Sequence, residues 1–142
     1  MIDNYDLMKL LERIPTSEAA EKALAGTLML GCPQTAYNAA KTTHPDDYTD
    51  RASQRIITEC LRIHDQGWVV DPIGVKASLE DHYPPIPGGW TKPIIDALDM
   101  WLIAGAAPHW AHIIRTTAQS RKQVIEGVQI INEALDHVEE DK

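Results

Sequence analysis

An all-α fold of about six or seven helices, closed by one long C-terminal helix, is what this sequence predicts. Three observations carry the expectation. No stretch of the 142 residues alternates apolar and polar side chains with a period of two, as a half-buried strand does. Apolar residues recur instead at spacings of three and four. Prolines and glycines fall where such helices would start and stop.

The elements follow in order. Residues 5–14 place Leu7, Leu11 and Ile14 on one face with Met8 beside them, and Pro15 ends that helix. Thr16 or Ser17 is positioned to cap the next, over 18–30, whose stripe is Ala20, Ala23, Leu24, Thr27 and Leu28. Ala19, Ala20, Ala23, Ala25 and Gly26 crowd this helix with small side chains, which permits a neighbour to approach closely; Gly31 and Pro33 terminate it. A short helix fits 34–41 around Ala36, Tyr37 and Ala40. The stretch 42–50 reads as a polar connection containing Pro45. The helix over 50–66 carries Ile56, Ile57, Cys60, Leu61 and His64 and stops at Gly67.

Trp68, Val69 and Val70 read as a short extended linker. Asp71 and Pro72 then form a strong start signal, an N-cap oxygen followed by a residue suited to the first helical turn. That helix uses Ile73, Val75 and Leu79 and fades near His82. Three prolines and two glycines within 83–89 make a loop. A helix from Thr91 turns Ile94, Ile95, Leu98 and Leu102 inward and ends at Gly105. Ala106, Ala107 and Pro108 make the turn into the last helix.

That last helix is the most informative stretch. Trp110, Ile114, Thr117, Val124, Val128, Ile131, Leu135 and Val138 recur at heptad-like spacing, and Arg121 interrupts the stripe where an apolar residue is due. A helix of about 28 residues is about 42 Å long. A compact domain of this size is about 37 Å across. The helix therefore spans the whole body or projects from it. On this reading 1–14 is an N-terminal helical extension, 15–107 a globular helical domain, and 108–142 the long helix.

Composition narrows the function. The net charge of −8 is spread along the chain, which argues against non-specific nucleic-acid binding, since counterion release needs a basic surface. Two cysteines, Cys32 and Cys60, with no CxxC, fit reduced thiols in a helical core, with one disulfide as the other option. The start of the chain is acidic, with Asp3 and Asp6, and shows no signal-peptide pattern. No apolar run approaches about 20 residues, so a membrane span is not expected and a cytoplasmic location is.

Catalytic motifs are absent. No glycine is followed by lysine, so there is no Walker A loop, and GxGxxG, HExxH and GxSxG do not occur. His109 and His112 have a spacing a metal can use, but no acid or cysteine lies nearby in sequence, so capping or surface histidines are the simpler reading. Asp46, Asp47 and Asp50 read as helix-initiating acids rather than an acid–base pair. Glu139, Glu140 and Asp141 read as a solvated end. No catalytic residue, metal ligand or cofactor is expected. Arg115, Arg121 and Lys122 are the only lysines or arginines between Lys92 and Lys142; they suit an acidic partner or a phosphate backbone. Arg121, on the apolar stripe, needs a buried acceptor or an open end. The tryptophans 68, 90, 101 and 110 read mainly as core fillers, with one exposed.

Four blocks of sequence, in order, resemble the N-terminal domain of the DnaB-family replicative helicases. The first runs from Ile14, Pro15, Thr16 and Ser17 through Ala20 and Glu21 to Leu24, Ala25, Gly26, Thr27, Leu28, Met29 and Leu30. The second is Asp46, Asp47 and Tyr48 with Arg55, Ile56 and Ile57. The third runs from Gly67 through Asp71, Pro72 and Ile73 to Leu79 and Glu80. The fourth is Gly88, Gly89 and Trp90, then Trp110 to Arg115, and Arg121.

The resemblance implies a helical domain of a ring helicase's collar, as a fragment of a helicase or a stand-alone relative, paired with copies of itself through a helical hairpin and offering a surface to primase, a loader or a replicative helicase. It also implies no catalysis in this domain, ATP hydrolysis belonging to a separate RecA-like domain that the sequence does not contain. The long helix stands as the hairpin's first arm, with no second arm before Lys142. A dimer or higher homo-oligomer is expected, with Ile114, Val124, Val128, Ile131, Leu135 and Val138 as its interface and Arg115, Arg121 and Lys122 as polar contacts. The alternative is a DNA-binding or regulatory helical module that contacts phosphates through those three cations.

Overall fold

Among the described residues six α-helices follow one another: α1 (Glu18–Met29), α2 (Gln34–Lys41), α3 (Arg51–Asp65), α4 (Pro72–His82), α5 (Thr91–Asp99) and α6 (Ala107–Glu140), with 3-10 turns at Pro45–Asp47 and Ala104–Ala106. The structure, a computed structural model, describes residue 9 and residues 12–100 and 104–140. The helix expected over 5–14 lies almost wholly outside these residues. No strand occurs among the described residues.

Local signals set most boundaries. Asp71 accepts the Gly74 amide at 2.7 Å and so caps α4, with Pro72 as its first residue. Gly31 takes φ +89 after α1, and its N–H donates to the Val70 carbonyl, tying the end of α1 to the linker between α3 and α4. Two expectations need correction. Ser17 sits at the N-cap of α1 but caps no amide; its hydroxyl donates to the Glu21 carboxylate at 2.8 Å. The helix from Thr91 stops at Asp99, not at Gly105: the Met100 amide turns to the Ala97 carbonyl, tightening the last turn.

α1 is the central element. It packs against α2, α3, α5 and α6, and nine of its twelve residues are buried. Its small residues make this geometry available. A Cβ placed on Gly26 would lie 2.2 Å from the Ala97 carbonyl oxygen, so the backbones of α1 and α5 meet at this point. Leu24, Leu28, Ile56, Val75, Leu79 and Ile114 fill the core around it.

Candidate functional site

The site starts from the long helix. α6 runs 34 residues, about 51 Å at 1.5 Å per residue. Ala107, Trp110, Ala111, Ile114 and Ala118 are buried, spaced as one helical face. These residues dock the first half of α6 against α1 and α2. Beyond Ala118 no residue through Val138 is buried. The remaining stretch, 122–140, is about 28 Å of helix.

The expected interface residues therefore divide. Ile114 is fully buried in the core of the domain and is no part of an outward seam, a correction to the sequence reading. The reason is that α1 and α2 pack against α6, so the apolar stripe has a partner there within the chain. Val124, Val128 and Leu135 are half-buried, while Ile131 and Val138 are exposed, at 37% and 55%. Ile125 and Ile130, exposed as well, lie beside the stripe. Together these residues form an apolar face along this part of the helix.

The boundary between the two halves is built from the 42–50 connection. Arg115 donates through Nη1 to the Thr42 hydroxyl. Arg121 donates through Nη2 to the Asp47 carbonyl at 3.1 Å and the Asp46 carbonyl at 3.4 Å. These carbonyls are the acceptors that an arginine on an apolar stripe requires. Its Nη1 is buried without an acceptor. Lys122 is exposed. Arg115, Arg121 and Lys122 line a groove of about 630 Å³ together with Ala118, Ile125 and the Asp46–Asp47 turn. The two aspartates are engaged on the turn itself: Asp47 Oδ2 accepts the His44 amide at 2.8 Å, and Asp46 Oδ2 lies 3.5 Å from His44 Nδ1. They initiate the 3-10 turn, as the sequence suggested.

Two buried carboxylates escaped the sequence reading. Glu21, fully buried on α1, accepts the Thr49 amide at 2.8 Å, the Asp50 amide at 2.9 Å, and the Thr49 and Ser17 hydroxyls at 2.7 and 2.8 Å. It anchors the far end of the 42–50 connection. Glu59, also fully buried, receives Arg62 Nη1 at 2.9 Å and lies 2.8 Å from His82 Nδ1, joining α3 to the end of α4. The only sequence signal was position: each acid stands at helical spacing among residues that must face inward, Glu21 beside Ala20 and Leu24, Glu59 beside Ile56 and Cys60. Tyr48, at the end of the turn, has its phenol pushed up to about 12 by burial.

Glu21 spends both oxygens on internal donors, while Glu59 uses Oε1 alone and its Oε2 is buried without a hydrogen-bond partner. His109 and His112 are exposed, and no group of three or more metal-ligating side chains occurs among the described residues. Cys32 and Cys60 are both buried and unpaired. Burial, before any charge effect, pushes the Cys32 thiol up to about 11 and raises Cys60 as well. Trp68 is the exposed tryptophan, at 71%, while Trp90 and Trp110 are buried; Trp101 lies outside the described residues. Among the described residues no helix is long and apolar enough to cross a membrane.

Comparison with known proteins agrees with this architecture. Residues 13–116 match the family described as the DnaB-like helicase N terminal domain. The match ends in the docked half of α6. No curated protein sequence matches the chain. Among solved structures, the crystal structure of the N-terminal domain of DnaB helicase from Mycobacterium tuberculosis superimposes with a TM-score of 0.74, at 21% identity, over 87% of this chain and 88% of that one. At that identity the likeness concerns the fold.

Proposed function

The chain belongs to the family of DnaB-like helicase N-terminal domains, and from that premise we propose that it is a non-catalytic protein-interaction domain of a DnaB-type replicative helicase. Its work is collar assembly with copies of itself and contact with a primase or loader, in the cytoplasm, during DNA replication. The observation that carries this reading is the distal half of α6. There Val124, Val128, Ile131, Leu135 and Val138 form an apolar stripe of which no residue is fully buried. A stripe with a period near 3.5 suits a partner helix.

The DNA-binding alternative draws no support from the geometry. Two of its three cations are committed inside the chain, Arg115 to Thr42 and Arg121 to backbone carbonyls. The chain as a whole carries −8. Phosphate readers present free cations on a basic face.

Analytical ultracentrifugation tests the proposal. The wild type is expected to sediment as an oligomer, and Ile131→Glu combined with Leu135→Glu as a monomer with unchanged helical circular dichroism. A variant that keeps the wild-type oligomer would remove the stripe from the interface.

A further inference from the structure

A second concave face contains no residue of α6. It is a groove of about 550 Å³, lined by the turn at Pro45 and Asp46, the first two turns of α3, and Tyr83, which follows α4. Its cations are Arg51 and Arg55, four residues apart and so on one side of α3, about 6 Å from each other along the axis. Like charges at that spacing oppose each other. Acids outnumber lysines and arginines 21 to 13 in this chain, and Lys41, Arg62, Lys76 and Lys92 each lie within 3.6 Å of a carboxylate. Among the described residues Arg51 and Arg55 have no carboxylate at ion-pair distance.

The polar groups beside them are already engaged. The Tyr48 and Thr43 hydroxyls share a hydrogen bond at 2.7 Å, the Thr49 hydroxyl donates to Glu21 at 2.7 Å, and Gln54 Nε2 donates to Thr58 at 2.9 Å. The two arginines are the charged donors left for an incoming group. Arg51 is exposed. Arg55 is half-buried, and its guanidinium lies 4.7 Å from the centroid of the Tyr83 ring. That contact restrains the guanidinium without using its N–H donors, which suits a carboxylate bound by two parallel hydrogen bonds.

Resting on the reading of the chain as a protein-interaction domain, we infer that this groove receives a short acidic segment of a partner protein, one carboxylate on Arg51 and a second on Arg55. Carboxylates four residues apart on a helix have the matching separation, about 6 Å. A nucleic acid fits poorly, since two cations on a chain of −8 release few counterions. Asp46 lines the groove as well; its carboxylate lies 3.5 Å from His44 Nδ1, and it opposes the incoming acid.

Titration of the full chain, followed through the arginine Nε–H resonances in proton–nitrogen correlation spectra, tests the site. The probe is a capped, alanine-based helical peptide with two glutamates four residues apart; its control carries glutamines in their place. The glutamate peptide is expected to move the Arg51 and Arg55 resonances, and the control neither. Arg51→Ala, at an exposed position, should weaken binding about fivefold, and Asp46→Asn should tighten it about twofold. Arg55→Lys keeps the charge but loses the planar fork, and should weaken binding as well. No shift at either arginine, equal affinity in the wild type and Arg51→Ala, or shifts of the same size at Arg62, Arg115 and Arg121 would overturn the site. Inorganic phosphate acting at lower concentration than the glutamate peptide would overturn the carboxylate as its occupant. If the site fails while Ile131→Glu with Leu135→Glu still dissociates an oligomer, the interaction domain stands and only this partner falls.

Discussion

The two halves of α6 are built from one repeating pattern and differ in what meets it. From Ala107 to Ala118 the apolar face sinks into the domain, with Ala111 and Ile114 fully buried. From Lys122 to Val138 the same periodicity continues, yet nothing is buried. The helix does not change character at the boundary; its surroundings do. Arg121 marks the place, held by the 42–50 connection, and the family match ends five residues earlier. Apolar periodicity thus reports that a face has a partner, not whether that partner belongs to the same chain.

The comparison can be broken most forcefully at two isoleucines. Ile114→Ala should cost about 4 kcal/mol of unfolding free energy, as a truncation in a closed core does. Ile131→Ala should stay within about 0.5 kcal/mol in the monomer, as a surface change does. Urea melts of both variants at a concentration where chains are separate would show it; equal losses would mean the distal half is packed within the chain.

A pair of glycines gives a smaller contrast of opposite sign. Gly26→Ala drives a methyl into the Ala97 carbonyl and should cost about 3 kcal/mol. Gly127→Ala meets nothing within 4 Å and should stabilise α6 by about 0.8 kcal/mol through helix propensity. Thermal melts in which Gly127→Ala destabilises the monomer would place an unseen neighbour against the distal half.

The mildest test uses the thiols of the body. Below the ordinary cysteine value of 9.0 both folded and unfolded Cys32 hold their proton, and the raised value adds no pH dependence. Between 9 and about 11 the unfolded thiol ionises while the folded one does not, so stability should fall as pH rises through that window. A thiol reagent at pH 8 should leave Cys32 and Cys60 unmodified until the chain unfolds; rapid labelling of the native protein would show the body to be looser than its packing implies.

Much of this was legible in the sequence. Asp71 and Pro72, Gly31 and Gly67, and the periodic apolar positions identified five of the six described helices to within a residue or two at each end. The fifth helix began at Thr91 as expected but closed early, because a tight last turn at Met100 leaves no mark in side-chain pattern. The four blocks of resemblance pointed to the fold that comparison then showed. The site was legible only in part. Val124 to Val138 could be read as a stripe, but Ile114 could not be told from them, since burial depends on how far α1 and α2 reach along α6. Arg121 announced a need for acceptors without saying which; its acceptors are backbone carbonyls more than 70 residues away. Glu21 and Glu59 were missed because a charge at an inward position looks, in sequence, like a charge on a solvated face.

Glu21 carries one more consequence. Thr49 and Asp50 lie outside any regular element, yet both amides end on this buried carboxylate. Their hydrogens can reach solvent only when the link between α1 and the start of α3 opens, and that opening strands a charge in the interior. In deuterium exchange these two loop amides belong with the slow core, in step with α1, rather than with the turn that precedes them.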